Sequence, residues 1–137
     1  MSKYFILLCL LFCLIAVGCN GNKRLSGKVT FPDGKPAPGG TVYFRKDNFT
    51  ARGEIKSDGS YKVSSEKSND GIPPGEYMVY VTGVTEAGTP VPGKMVLPVQ
   101  LCDPKYGDPE RSGLTCKVPA PGSRFDITLE RNPNLKR

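Results

Sequence analysis

The sequence predicts an all-β fold, a seven- to eight-stranded antiparallel β-sandwich that follows an N-terminal signal segment. Thirteen prolines and sixteen glycines interrupt the chain at short intervals. Between these breaks, apolar and polar residues alternate with a period of two, which is typical of strands that bury one face. After the signal segment, no stretch shows the apolar spacing of an amphipathic helix. Short alternating segments separated by frequent turn signals are typical of a sandwich.

Each strand is predicted from the apolar residues at its inward positions. In chain order these are Leu25, Val29 and Phe31; Val42 and Phe44; Ala51, Gly53 and Ile55; Tyr61 and Val63; Tyr77, Val79 and Val81; Leu114, Cys116 and Val118; and Phe125, Ile127 and Leu129. An eighth, weaker strand is predicted over residues 94–99. Because Pro98 has no N–H to donate to a neighbour, this segment belongs at a sheet edge or at a strand end.

Turn-forming residues separate the strands. The Asp-Gly pair at 58–59 lies between two alternating segments and is the strongest short-range signal for a hairpin. A second Asp-Gly pair at 33–34 begins the first connection, and Pro-Pro-Gly at 73–75 forces a tight entry into the next strand. Residues 84–113 form one long irregular region. An irregular stretch of that length is either functional or tied down.

Residues 1–19 have the three-part layout of an export signal. Lys3 gives the start a positive charge, residues 5–17 are an uncharged apolar run, and Gly18 precedes Cys19. The run is shorter than the about 20 residues that a membrane-spanning helix needs. This ending resembles the bacterial lipobox, although Ala16 stands where leucine is commonest. The resemblance implies cleavage before Cys19 and attachment of a diacylglyceryl group, with acyl chains such as palmitate, to its thiol.

The predicted organisation has four parts. Residues 1–18 are a lipoprotein signal peptide, 19–24 a lipidated N-terminus with a short tether, 25–131 the β-sandwich domain and 132–137 a C-terminal tail. Six tether residues reach at most about 20 Å, so we expect the domain close to the bilayer. Such an anchor predicts an exported protein of the bacterial cell envelope. Asn20 favours the outer membrane over the inner one where the position-two sorting rule of lipoproteins applies.

Two cysteines, Cys102 and Cys116, belong to the predicted sandwich domain. An even number of cysteines in an oxidising compartment favours a disulfide between them. The bridge would close a loop of about 15 residues and contribute roughly 3 kcal/mol. The alternative is two buried thiols that pack as small apolar residues.

Five short segments carry motifs in a fixed order: LSGKVTFPDG at 25–34, TVYF at 41–44, DGSY at 58–61, PGEY at 74–77 and KYGDPERSGL at 105–114. The first four resemble the V-x-G-x-V-x-x-x-D-G-x-P opening, the following strand, the D-G-x-[YF] turn and the P-G-x-Y strand entry of carboxypeptidase regulatory-like domains. The fifth resembles the K-Y-x-x-P-x-x-S-G-L segment of short planctomycete-type lipoproteins with such a domain. The resemblance implies a transthyretin-like sandwich and an export route. It implies no single activity, because this sandwich hosts many roles.

The composition argues against catalysis. The chain contains no histidine, the commonest general base and the commonest metal ligand. It also lacks the C-terminal Tyr-Arg-Gly-Ser of the related hydroxyisourate-type hydrolases. Asp33, Asp58 and Asp70 each precede a glycine and are interpreted as turn residues rather than calcium ligands. We therefore expect no enzymatic activity, no metal site and no cofactor.

Residues 102–112 form the candidate binding loop. Lys105, Tyr106 and Arg111 stand here among acidic neighbours, and an aromatic residue with charged neighbours on a loop suits recognition of carbohydrate or protein. The alternative is structural: Tyr106 and Leu114 cover one end of the sandwich, and the charged groups are solvated.

The formal charge of +6 at pH 7 falls by one when Lys3 leaves with the signal. A basic balance favours anionic neighbours, but the dispersed cations are unlike those of a nucleic-acid reader. The sequence therefore predicts a non-catalytic, lipid-anchored interaction module that holds an envelope protein or an acidic polysaccharide at the membrane surface. The alternatives are a purely structural envelope lipoprotein without a specific ligand and, third, an enzyme that works without histidine. The oligomeric state stays open.

Overall fold

The computed structural model describes residues 21–67 and 70–135. Within these ranges the chain is all-β, with nine strands, two short 3₁₀ turns and no α-helix. The strands are β1 (Ser26–Thr30), β2 (Thr41–Lys46), β3 (Phe49–Glu54), β4 (Ser60–Lys62), β5 (Gly75–Thr82), β6 (Thr85–Glu86), β7 (Val99–Gln100), β8 (Leu114–Val118) and β9 (Ile127–Thr128). The predicted signal segment and the predicted lipidation site Cys19 lie outside the described residues.

Two main sheets face each other. A four-stranded antiparallel sheet has the order β3-β2-β5-β8, and a three-stranded sheet has the order β4-β1-β9. Strands β6 and β7 pair separately as a two-stranded antiparallel hairpin. This architecture is consistent with the predicted β-sandwich.

The core lies between the two sheets and is built from the inward residues of both. Phe44 on β2 is fully buried. Its ring centroid lies 6.3 Å from that of Tyr61, 6.5 Å from that of Tyr77 and 6.2 Å from that of Phe125. Since Tyr61 belongs to β4 and Phe44 to β2, their contact joins the two layers. Burial of such aromatic side chains is a main stabilising contribution in a domain of this size.

The seven principal strand predictions each coincide with an observed strand. The eighth prediction, over residues 94–99, is wrong for most of its length. Pairing with β6 begins only at Val99, because Pro98 has no N–H to offer a neighbouring strand. The short strand β6 was not predicted.

Strand β9 departs from the antiparallel prediction, because it pairs with β1 in parallel. The chain leaves the larger sheet at β8, passes through the short turn Pro121–Ser123 and returns alongside β1. Phe125 N–H donates to the Ser26 carbonyl at 2.8 Å, and Leu129 N–H donates to the Thr30 carbonyl at 2.8 Å. Side chains alternate in the same way in parallel and antiparallel strands, so alternation does not reveal strand direction.

The predicted Asp-Gly turn at 58–59 is present. Asp58 Oδ1 accepts hydrogen bonds from the Ser60 N–H at 2.9 Å and from the Ser60 hydroxyl at 2.6 Å. Gly59 has a φ of 83°, a left-handed conformation that glycine adopts without steric cost. The strand before the turn, β3, and the strand after it, β4, belong to different sheets. On both sides of the turn the chain pairs as a short hairpin, in which Arg52 and Ser64 exchange backbone hydrogen bonds of 3.0 and 2.9 Å. The same turn also carries the chain from one layer to the other.

The chain is held to the domain before β1 begins. Lys23 N–H donates to the Ile72 carbonyl at 2.8 Å, and Ile72 N–H donates to the Lys23 carbonyl at 2.9 Å. Ile72 is fully buried and lies just before β5. Beyond residue 131, Leu135 packs against the core. Among the described residues, no helix is long and apolar enough to cross a membrane.

Candidate binding surface

The predicted binding loop, residues 102–112, is a compact turn packed against β5. Asp103 Oδ1 accepts a hydrogen bond from the Lys105 N–H at 2.9 Å and so caps the short turn Pro104–Gly107. The Ser112 hydroxyl donates to the Val79 carbonyl at 2.5 Å, which fixes the far end of the loop to β5. This part of the long irregular region is therefore tied down by its own polar groups.

Tyr106 is only 5% exposed. Its hydroxyl accepts a hydrogen bond from the Glu130 N–H at 3.3 Å. The Lys105 ammonium lies 5.1 Å from the centre of the Tyr106 ring and pairs with the Glu130 carboxylate, which raises the pKa of Lys105. The structure thus places Lys105 over the buried Tyr106 ring in a surface ion pair with Glu130, and it leaves Arg111 exposed. Because its ring is covered, Tyr106 is not available for stacking on a ligand.

Cys102 and Cys116 are free, buried thiols in the structure, rather than the predicted disulfide. Cys116 lies opposite Tyr77 near the start of β5, whereas Leu101, next to Cys102, hydrogen-bonds Val84 beyond the end of β5. The five residue steps from Tyr77 to the end of β5 at Thr82 span about 17 Å, but bridged cysteines have Cα atoms about 4.4–6.8 Å apart. Burial raises the pKa of both thiols, that of Cys116 to about 11. Both therefore pack as small apolar residues.

A second surface is formed by outward side chains of the four-stranded sheet. The strand register places Arg52 of β3, Tyr43 of β2 and Tyr80 of β5 side by side in one row. In the next row Arg45 of β2 lies beside Met78 of β5, which is 39% exposed. We call Tyr43, Arg45, Arg52 and Tyr80 the tyrosine–arginine face.

The two tyrosines of this face stack on each other. The ring centroids of Tyr43 and Tyr80 are 4.8 Å apart and the ring planes differ by 7°. Both side chains are half-buried. A cross-strand aromatic pair of this kind contributes about 0.5–1 kcal/mol beyond the burial of its area. Each ring limits the rotation of the other, so the pair is a rigid feature of the sheet surface.

A shallow polar depression of about 360 Å³ lies beside Tyr80. Its lining residues are Arg45, Asp47, Asn48, Thr50 and Tyr80. Asp47 and Asn48 form the turn between β2 and β3, and Asp47 has a φ of 50°. The depression therefore combines an aromatic ring, a guanidinium and several groups that donate or accept hydrogen bonds.

Tyr43 lies between the predicted inward residues Val42 and Phe44, and Tyr80 lies between Val79 and Val81. Both tyrosines therefore occupy outward strand positions, for which no role is predicted from the sequence. The available signal was their residue type, because aromatic side chains at the polar positions of alternating strands are partly exposed. Which strands are neighbours, and with what register, decides whether two such residues meet. That information is tertiary and is absent from the alternation itself.

The hairpin of β6 and β7 carries an apolar tip. Its exposed large apolar residues are Val91, Met95, Val96 and Leu97, and Met95 is 86% exposed. The base of the hairpin lies where Leu101 N–H donates to the Val84 carbonyl at 2.9 Å. This base follows the end of β5, whereas Lys23 is held beside Ile72 before the start of β5. The hairpin base and the N-terminal attachment are therefore at opposite ends of β5.

Asp70 organises the loop between β4 and β5. Its carboxylate accepts hydrogen bonds from the backbone N–H groups of Lys67, Ser65 and Glu66 at 3.0, 2.7 and 2.9 Å, and from the Ser65 hydroxyl at 2.8 Å. The N–H groups of Lys67 and Ser65 are the main reason that the pKa of Asp70 is well below its usual range. A carboxylate that accepts several backbone hydrogen bonds is favoured in its charged form.

The lowered pKa of Asp70 predicts a loss of stability in acid. The unfolded value is about 3.9, so the stabilisation is fully present above that pH and is lost as pH falls toward the folded value. We expect the urea midpoint to fall between pH 7 and pH 3. Asp70→Asn should lower the midpoint at pH 7 and flatten this fall. Glu86→Gln, which changes an exposed carboxyl group on the hairpin, is the control, and an equal flattening by both variants would contradict the assignment.

Among residues 21–67 and 70–135, no group of three or more Cys, Asp or Glu side chains is placed to hold a metal ion. The tyrosine–arginine face and the polar depression beside it are the candidate binding surface. No protein-family model, curated protein or solved structure matches this chain.

Proposed function

We propose that this chain is a non-catalytic interaction module of a bacterial cell envelope, anchored by lipid on Cys19. Its sandwich is of the transthyretin-like, carboxypeptidase regulatory-like type. The observation that carries the proposed anchor is the short stretch of chain between the lipobox-like residues 16–19 and Lys23, the first of the described residues whose backbone hydrogen-bonds to the domain. A lipid on Cys19 would therefore hold the folded domain close to the membrane surface.

The free tether ends at Lys23, before β1 begins, so it is shorter than the predicted tether of residues 19–24. Only residues 20–22 lie between Cys19 and the backbone hydrogen bonds of Lys23. Four residue steps reach at most about 14 Å. The Lys23 end of the sandwich would therefore face the bilayer, with the base of the β6–β7 hairpin at the opposite end. The flank of the sandwich, including the tyrosine–arginine face, would stay open to ligands.

Two properties of the chain support a binding role over a catalytic one. The sequence has no histidine to act as a general base. Burial raises the pKa of the Cys102 and Cys116 thiols, whereas a nucleophilic cysteine needs a lowered pKa.

The anchor is tested by intact mass spectrometry of the protein purified from its native membrane. We expect a mass that lacks residues 1–18 and carries added acyl chains. Cys19→Ser should remove the acyl mass and release the protein from the membrane fraction. Cys102→Ser is the matched control, and it should leave both the acyl mass and the membrane fraction unchanged. An unlipidated wild-type mass with a different N-terminus would overturn the anchor.

A second function, a structural envelope lipoprotein without a specific ligand, is favoured by one observation. Two of the three residues predicted to bind, Lys105 and Tyr106, are engaged in contacts with Glu130 of the same chain, whereas Arg111 is exposed. Under this alternative the tyrosine–arginine face would bind no defined ligand. The binding experiment described next separates the two functions.

A further inference from the structure

We infer that the tyrosine–arginine face binds an acidic polysaccharide, a chain of sugar rings that carries carboxylate groups. The inference rests on the proposed role as an interaction module and names the chemical class of its ligand. The side chains of Tyr43, Arg45, Arg52 and Tyr80 share one side of the four-stranded sheet, where both arginines are exposed and both tyrosines are half-buried.

The geometry suits an extended ligand that runs across the strands. Arg52, Tyr43 and Tyr80 occupy three neighbouring strands in register. Neighbouring strands are about 4.8 Å apart, a spacing comparable with the size of one sugar ring. The polar depression adjoins these rows on the side of the β2–β3 turn, where Thr50 lies opposite Arg45 and where Asn48 and Asp47 add an amide and a carboxylate.

The charges of the face favour an anionic ligand. The two central rows contain Arg45 and Arg52 but no carboxylate on β2, β3 or β5, and the one carboxylate that lines the adjoining depression is Asp47 of the β2–β3 turn. The ion pairs among the described residues are Lys105–Glu130, Arg124–Asp126 and Arg131–Asp33. They leave the guanidinium groups of Arg45 and Arg52 for a ligand. Guanidinium binds carboxylate with two parallel hydrogen bonds, which adds direction as well as charge.

The aromatic pair favours a sugar. Sugar rings have an apolar C–H face and polar edges, and aromatic side chains with a polar tip match this combination. Tyr43 and Tyr80 already stack at 4.8 Å, so binding would not have to order either ring. Rings that are fixed before binding reduce the entropy cost of association.

A single-stranded nucleic acid is less well matched to this surface. Binding of such strands uses a continuous positive groove that follows the phosphates. Here the central rows are flanked by Glu54 beside Thr41 and by Glu76 beside Lys117. The positive charge is therefore confined to the two arginines and does not extend along the sheet.

The test uses the full chain in mild detergent and isothermal titration calorimetry. The probes are an alginate oligosaccharide as the carboxylated sugar, a neutral linear glucan and an oligodeoxythymidine. We expect the alginate oligosaccharide to bind and the other two to bind at least about tenfold more weakly, the difference that one charge-assisted hydrogen-bonded contact supplies. No binding of alginate at millimolar concentration, or equal binding of the glucan or the oligonucleotide, would overturn the inference.

Paired variants distinguish binding at the tyrosine–arginine face from non-specific electrostatic attraction between the protein and the anionic sugar. Arg45→Gln and Lys117→Gln remove the same charge from the same sheet, but only Arg45 belongs to the face. Arg45→Gln and Tyr80→Ala should each weaken alginate binding about tenfold, whereas Lys117→Gln should leave it nearly unchanged. An equal loss in the two charge variants would indicate non-specific electrostatics and would overturn the site. Circular dichroism verifies that each variant is folded.

The Cys19→Ser protein separates this inference from the proposed anchor. If Cys19→Ser still binds alginate and the wild-type protein carries no lipid, the proposed anchor is refuted and the proposed binding face is supported. A lipidated wild-type protein that does not bind alginate refutes the site and retains the anchor.

Discussion

Gly27→Ala is expected to destabilise the domain by about 3 kcal/mol or more, the upper part of the range for overpacking. A Cβ atom at residue 27 would lie 1.8 Å from the Phe125 carbonyl oxygen and 2.8 Å from the Tyr61 hydroxyl. The first of these neighbours is backbone and cannot rotate away. The segment leading into β9 would have to move off β1, which would break the hydrogen bond from Phe125 N–H to the Ser26 carbonyl.

The measurement is urea unfolding followed by circular dichroism, with Gly39→Ala as the matched control. A Cβ at Gly39 has no neighbour within 4 Å. Gly39→Ala should therefore be neutral or stabilising by up to about 1 kcal/mol, because alanine restricts the unfolded chain. If Gly27→Ala unfolds at the same urea concentration as Gly39→Ala, the close approach of β9 to β1 is refuted.

Phe44→Ala is expected to cost about 4 kcal/mol, within the range for removing a buried phenylalanine. The ring is fully buried and packs near Tyr61, Tyr77 and Phe125, so its loss leaves a cavity between the two sheets. Domains of this size have unfolding free energies of about 5–15 kcal/mol, so the variant should lose a large share of its stability.

Val91→Ala on the exposed hairpin tip is the control for Phe44→Ala. It removes an apolar side chain that is 48% exposed, and we expect a change within about 0.5 kcal/mol. A calorimetric midpoint of Phe44→Ala that matches the Val91→Ala midpoint would show that Phe44 does not join the two layers.

Local physical chemistry made the strand positions predictable. Burying one side of a strand requires alternation, and the alternation around Val42 and Phe44 coincides with the burial pattern of β2. The Asp-Gly turn at 58–59 was predictable for the same reason, since its carboxylate and its glycine act within a few residues. The turn did not reveal that it joins two different sheets, because that depends on the partners of β3 and β4.

The candidate site was less predictable because its residues meet only through tertiary register. The loop around Tyr106 has the composition of a binding loop, but Glu130, far along the chain, engages both Lys105 and Tyr106. Tyr43 and Tyr80 are marked only by their residue type at outward positions, and they meet because β2 and β5 pair with these two residues opposite each other. The composition of a segment does not show which residues from elsewhere in the chain contact it. The burial of Tyr106 and the stacking of Tyr43 on Tyr80 both depend on such contacts.

The place of β1 between β4 and β9 has a consequence for how the molecule is made. Strand β1 gains its second neighbour only from β9, the last strand. Next to this pairing, Lys28 N–H donates to Asp126 Oδ1 at 2.9 Å, a contact between residues 98 positions apart in the sequence. Contacts this distant form late, because the intervening chain must first be confined. During synthesis, β1 keeps an open edge until residues near the C-terminus emerge. The three-stranded sheet is therefore completed only when the last strand becomes available to pair with the first.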